Sequence, residues 1–266
     1  MIPKIIHYCW FSNDPLPKEA FRCIDSWKKF MPDYQIRKWT LDDFDVNEVP
    51  FTKEALASKK WAYLTDFVRH YALFNHGGVY MDSDVLLFKN IEPLLTANFV
   101  SAVECHPGPQ EAVELKKRID GLYKRNSDEI KVPGIGIQAA ILCAIPGHKL
   151  NLACMDFYKK ISLAEVLEKH YTAPTVIAYN SEPFGFVYHD IEQSLAESIK
   201  LYPSSVFGNY NQYSKKSYAI HCCAGSWVEK NYKEKIKDYL KSNLLTKGAF
   251  RWYEIKKQQK ITEKLK

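Results

Sequence analysis

Asp82 and Asp84 stand two residues apart in Gly77-Gly78-Val79-Tyr80-Met81-Asp82-Ser83-Asp84, directly after a short strand-like run. At a strand end the chain leaves the pleated sheet, and both carboxylates can turn to one ligand. Two acids at close range repel, and one would take up a proton. A divalent cation removes that conflict. Hard oxygen ligands suit Mg²⁺ or Mn²⁺, ions that usually bridge to substrate phosphates. The glycine pair permits a tight helix-to-strand turn and a close backbone approach. Taken alone, the same pattern also describes a solvated turn.

Further polar residues lie within reach in sequence. Asp66 and Arg69 are three apart on the preceding helical segment, off its apolar stripe, so they can point the same way. They read either as an exposed ion pair or as a polar grip on sugar hydroxyls beside a metal. Gln138 interrupts the apolar Gly134-Ile135-Gly136-Ile137-Gln138. It reads as a buried amide with backbone partners, or as a carbonyl facing a reacting centre.

The elements that must position these residues follow from periodicity. Residues 4–11 (KIIHYCWF) read as a buried opening strand. Residues 18–30 read as a helix, with Phe21, Ile24, Trp27 and Phe30 at three-residue steps. Residues 34–39 return as a second strand, a β-α-β start to a layered α/β fold. Residues 40–51 are acidic and loop-like. The segment 58–75 is the clearest helix, with Trp61, Leu64, Val68, Tyr71 and Ala72 in one stripe and Gly77 at its stop. Strands are expected at 78–81, 98–104, 200–202 and 218–221, an apolar run at 135–145, and a helix over 150–167, while the polar stretch 111–126 reads as helical or mobile. There are no repeats. One domain, residues 1–228, is followed by a tail, residues 229–266.

Composition supports a folded chain. Of the 266 residues 46% are hydrophobic, enough for a sizeable core, and 17 Tyr, 14 Phe and 6 Trp exceed what a core needs. Residues 229–266 hold 12 Lys and Arg against 5 Asp and Glu, so the tail carries +7 and the body −1. A near-neutral body excludes nucleic acid as the partner of the whole fold. The seven cysteines are odd in number and several sit in apolar runs, which fits buried free thiols better than a disulfide framework. A structural zinc site is not expected, because Cys222-Cys223 has no CxxC companion. No stretch approaches the roughly 20 apolar residues of a membrane span, and the N-terminus lacks signal-peptide features. These point to a cytoplasmic protein.

Three separated segments resemble one family. Thr65-Asp66-Phe67-Val68-Arg69 with Gly77 to Asp84 is similar to the signature of DXD-containing sugar transferases, glycosyltransferase family 32. These include yeast-type initiating mannosyltransferases, bacterial capsule glycosyltransferases and the related glucosylating domain of large clostridial toxins. Ile2-Pro3-Lys4-Ile5-Ile6-His7-Tyr8-Cys9-Trp10 resembles the family's first strand, and His221-Cys222-Cys223-Ala224-Gly225-Ser226-Trp227 its closing motif. Together they cover roughly residues 1–228 in the right order.

The resemblance implies a GT-A fold, a Rossmann-like mixed sheet flanked by helices. It implies a retaining transferase that moves a hexose, with galactose or glucose favoured, from a nucleotide-diphosphate sugar. The toxin-like Trp10 favours UDP. Capsule or surface polysaccharide is the implied product. His7, Trp10, Ser226 and Trp227 would contact the nucleotide, with Trp10 stacking on the base. Asp66, Arg69 and Asp82 would hold the donor sugar. Asp82, Asp84 and His221 would hold Mn²⁺ or Mg²⁺, and Gln138 would lie near the reacting carbon. At position 221 the toxin branch has an acid, but imidazole is an acceptable Mn²⁺ ligand.

Two other classes fit parts of the sequence. A phosphatase-like Mg²⁺-dependent hydrolase could use Asp82 and Asp84 as nucleophile and acid, but a later acidic pair is missing. A non-enzymatic basic adaptor could use the tail. From Val228 into the tail, Val228, Tyr232, Ile236, Tyr239, Leu240 and Leu244 recur at helical spacing, followed by Trp252 and Tyr253 among lysines. That composition suits either packing on the body or an anionic membrane surface carrying a lipid-linked acceptor, peripheral on the inner face.

Overall fold

The computed structural model describes residues 1–209 and 212–223. Ser226, Trp227, the boundary at 228 and the whole tail lie outside the described residues.

The β-branched opening forms β1 (Ile5–Cys9), and α1 (Lys18–Phe30) returns the chain to β2 (Gln35–Trp39), parallel to β1. After α2 (Pro50–Ala57) and α3 (Trp61–His76) comes β3 (Gly78–Met81), parallel to β1 on its other side. The chain continues through β4 (Val85–Leu87), β5 (Phe99–Cys105), α4 (Pro109–Arg118), β6 (Ile135–Ile137) and β7 (Ile141–Ala144). Helices α5 (Lys149–Lys160), α6 (Leu163–Glu168) and α7 (Ala173–Ser181) precede β8 (Gln193–Leu195), β9 (Ile199–Tyr202), β10 (Phe207–Asn209) and β11 (Ala219–His221).

The main sheet runs β2-β1-β3-β7-β5-β9-β8, with β6 on β5, and a small sheet runs β10-β11-β4. Pairing is mixed: β7 is antiparallel to both β3 and β5, so β1, β3 and β5 point the same way. Alternate residues feed two cores. Tyr80, Leu142 and Phe99 pack with α2, α3, α5 and α7. Val79, Met81, Ile141 and Cys143 pack with α1 and β4. A mixed sheet covered on both faces is the architecture that the GT-A resemblance implies. Among the described residues no helix is long and apolar enough to cross a membrane.

Several expected boundaries shift for local reasons. Phe21 is 55% exposed, because α1 turns Ala20, Cys23, Ile24 and Trp27 inward, and a strict three-residue step drifts off a 3.6-residue face. The expected helix 150–167 breaks at Ser162, whose hydroxyl accepts from the Glu165 N–H and starts α6. The polar stretch 111–126 is helical only to Arg118 and then closes a turn through an Ile119–Arg125 bridge. The apolar run 135–145 is two strands, split at Gln138 to Ala140.

The glycine pair has the role its sequence predicts. Gly77 (φ +61°) caps α3 with its N–H on Leu73 O, and a Cβ on Gly78 (φ +101°) would stand 2.6 Å from Ile5 O. Only glycine tolerates both the left-handed backbone and that approach. The turn thereby sets β3 against β1 and fixes where Asp82 emerges.

Candidate active site

A cleft of about 930 Å³ opens where β1, β3 and β5 end. Ligands in open α/β sheets bind outside the carboxyl ends of strands. Trp10 follows β1, Asp82 follows β3, and Glu104 lies near the end of β5; all three line the cleft with Asp66, Arg69, Asp84 and His221.

The DXD turn is held by the backbone. Asp82 N–H donates to Ala140 O at 2.9 Å, and Val85 N–H donates to Asp82 O at 3.0 Å. The Tyr80 hydroxyl, one strand pleat back, donates to Asp82 Oδ1 at 2.6 Å. His221 arrives from far along the chain because β11 pairs with β4, placing His221 opposite Val85. Cys222 N–H donates to Asp84 O at 2.9 Å and closes the join. His221 Nε2 then lies 3.2 Å from Asp84 Oδ1 and 3.9 Å from Asp82 Oδ2.

One ligand atom from each of Asp82, Asp84 and His221 lies within 4.8 Å of the other two. Two carboxylates and one imidazole form a hard-to-borderline donor set that fits Mn²⁺ or Mg²⁺. Without an ion, burial works against a charged His221, but the Asp84 carboxylate outweighs it and holds the imidazole well above its usual range. A metal must displace that proton. Mn²⁺ affinity should therefore rise as pH climbs from 6.5 toward the raised value, by up to about tenfold per pH unit for one released proton. Calorimetric titration in buffers of different ionisation enthalpy counts the proton, and His221→Asn should abolish the slope. A pH-independent affinity for the unsubstituted protein would remove His221 from the ligand set.

Asp66 and Arg69 are not the exposed pair that their spacing permits. Their side chains are only 11% and 5% exposed. Arg69 Nη2 donates to Asp66 Oδ1 at 2.9 Å, Nη1 to Ala139 O at 2.6 Å and Nε to Thr65 O at 3.3 Å. Its Nη2 is 3.7 Å from Asp82 Oδ1, and its guanidinium lies over the Tyr80 ring. Arg69 thus ties α3 to the DXD turn. Burial pushes the Asp66 carboxyl up to about 7 against the opposing pull of Arg69.

Trp10 flanks the cleft, its indole N–H donating to Asp14 O at 2.7 Å. His7 does not reach the cleft, which corrects its assignment to the nucleotide. It is fully buried; Nε2 is 2.8 Å from Gly77 O, and Nδ1 accepts from Trp39 Nε1 at 3.1 Å. Burial lowers its pKa to about 4, so it is neutral and pins the glycine turn to β2. Gln138 is the buried amide with backbone partners that one of its two sequence readings describes. It lines the cleft, but its carbonyl accepts from Ala140 N–H at 2.9 Å and its amide donates to Phe207 O at 3.1 Å. It braces the break between β6 and β7. Sequence reasoning does not single out Glu104. The available signal is an acid at the end of a strand parallel to β1 and β3.

Comparison with known proteins bears on this geometry. Residues 17–100 match the family described as glycosyltransferase sugar-binding region containing DXD motif. The matched span contains Asp66, Arg69, Asp82 and Asp84 and ends before β5 is complete. Inositol phosphoceramide mannosyltransferase 3 of Schizosaccharomyces pombe is 32% identical over 98 residues, covering 35% of this chain and 27% of that protein. Mannosyl phosphorylinositol ceramide synthase CSH1 of Saccharomyces cerevisiae is 32% identical over 103 residues, covering 36% and 26%. The match thus spans about a quarter of each relative's length. Among solved structures, the PaToxG glycosyltransferase aligns at 14% identity and TM-score 0.45, over 68% of this chain and 69% of that one.

Proposed function

We propose that the protein is a metal-dependent glycosyltransferase that moves a hexosyl group from a nucleoside-diphosphate sugar to a saccharide hydroxyl. The observation that carries this is the convergence of Asp82, Asp84 and His221 at one end of a cleft, within a DXD sugar-binding region. The volume of about 930 Å³ suits a ligand of nucleotide-sugar size.

The cleft divides by chemistry. Trp10 offers a flat apolar face for a base at the β1 end. Asp82, Asp84 and His221 would hold a divalent ion over the diphosphate. When bound, that ion supplies Lewis-acid stabilisation of charge on the leaving phosphate. Tyr80 and Arg69 hold Asp82 in position, so no reorganisation is needed as charge develops. Asp66 and Arg69 border the space beyond, where the sugar would lie.

The resemblance of the three motifs supports retention of anomeric configuration, with the leaving phosphate assisting the acceptor hydroxyl. It also supports a role in capsule or surface polysaccharide assembly. The names of the yeast relatives support mannose as a candidate beside galactose and glucose. The +7 charge of residues 229–266 supports a peripheral position on an anionic membrane, next to a lipid-linked acceptor.

The test is a screen of UDP-glucose, UDP-galactose and GDP-mannose with Mn²⁺. At least one should be hydrolysed slowly without acceptor and should raise the melting temperature. The absence of both hydrolysis and stabilisation with all three would sink the proposal.

A further inference from the structure

Five carboxylates line the cleft, and four of them have partners, Asp14 accepting from the Ser12 hydroxyl at 2.6 Å. Asp66 accepts from Arg69, Asp82 accepts from Tyr80, and Asp84 faces His221 at 3.2 Å. Glu104 differs. Its side chain is only 23% exposed, and among the described residues none donates a hydrogen bond to its carboxylate. The nearest basic side chain is His106, whose Nε2 is 3.8 Å away, beyond hydrogen-bond reach, on a side chain 45% exposed that also lines the cleft. Burial raises the Glu104 carboxyl above its ordinary value, with His106 and His221 opposing. A carboxylate that lines a cleft and takes no donor from the described residues is open to one brought by a ligand.

Its place along the sheet says which ligand. From β1 through β3 and β7 to β5, the strand ends present Trp10, then Asp82 and Asp84, then Glu104. Glu104 lies two strand spacings, about 10 Å, past the strand that carries the metal ligands. A nucleotide sugar laid base first from Trp10 reaches its sugar before Glu104, and Asp66 and Arg69 already border that sugar. Glu104 comes last in the row, beside the exposed His106.

We propose that Glu104 accepts a hydrogen bond from a hexopyranose hydroxyl of the acceptor, with His106 as a second contact. This rests on the transferase reading above. The same chemistry could serve a hydroxyl of the donor sugar, and the test separates the two. An ionised acceptor gives short, strong O–H···O⁻ bonds. A site built to bond a hydroxyl discriminates strongly against partners that lack one.

The test uses the full chain with Mn²⁺, the nucleotide sugar it hydrolyses fastest, and methyl α-glucoside, α-galactoside and α-mannoside as acceptors. Glu104→Ala should lower acceptor kcat/KM by about thirtyfold or more, while donor KM moves less than about threefold. Glu104→Gln keeps the shape and should lose about tenfold, and Glu104→Asp keeps the charge and should recover part of the loss. Equal losses for donor and acceptor would place Glu104 on the donor sugar and overturn the proposal. So would unchanged acceptor kinetics, or an unsubstituted protein that hydrolyses donor but uses none of the three glycosides. A protein that hydrolyses no nucleotide sugar defeats the transferase reading itself, and this inference with it.

Discussion

Asp84→Asn is expected to cut sugar transfer by about 10³-fold or more, because several kcal/mol of charge stabilisation at the leaving phosphate depends on the ion that Asp84 would hold. The fold should survive. The backbone hydrogen bonds that fix the turn, Asp82 N–H to Ala140 O and Cys222 N–H to Asp84 O, do not involve the Asp84 side chain and are kept in the variant. Asp82→Asn should leave somewhat more activity. An amide oxygen can still accept from the Tyr80 hydroxyl, and the position of the side chain survives even though its charge does not. Both substitutions should weaken Mn²⁺ binding measured directly, apart from turnover. Excess EDTA should abolish transfer by the unsubstituted protein, and full activity in the chelator would refute the metal reading. Unchanged Mn²⁺ affinity in Asp84→Asn would move the ion elsewhere.

The parts of this site that were legible in the sequence are those fixed locally. Gly77 and Gly78 announce a turn that only glycine can make, and the acids after a four-residue strand must emerge at its end. The β-α-β opening follows from period and punctuation and is present as β1-α1-β2. What the sequence did not show depended on partners distant in sequence. His7 sits in a motif that suggests a ligand, yet its two nitrogens are engaged by Gly77 and by Trp39. Gln138 is polar in an apolar run because two backbone groups need it, one of them on Phe207. Arg69 looked exposed because the 58–75 stripe runs along another face, but α3 lies against the ends of β3 and β7, and both faces are covered. Glu104 was invisible for the same reason, since only the sheet order brings the end of β5 beside the DXD turn.

Arg69→Lys should lower transfer by about 10²-fold or more and destabilise the fold, whereas Asp66→Asn should separate those two effects. The guanidinium bridges Asp66, Ala139 O and Thr65 O while standing 3.7 Å from Asp82. An ammonium cannot span that fork. Arg69→Ala would strand the Asp66 carboxylate in the interior and cost about 3–5 kcal/mol, enough to confuse unfolding with lost chemistry. Asp66→Asn keeps an oxygen for Arg69 and removes only the charge. Because burial raises the Asp66 carboxyl to about 7, its contribution to stability is full below about pH 4 and is lost as pH rises through about 7. The asparagine variant escapes that loss, so its melting temperature relative to the unsubstituted protein should climb between pH 5 and pH 8. Its transfer should still fall, through a weaker grip on the sugar, with free nucleoside diphosphate bound nearly as before. A melting temperature that drops more at pH 8 than at pH 5 would mean that the Arg69 pairing, not burial, governs Asp66. Equal losses of nucleotide and sugar binding would make the pair a structural tie rather than a sugar contact.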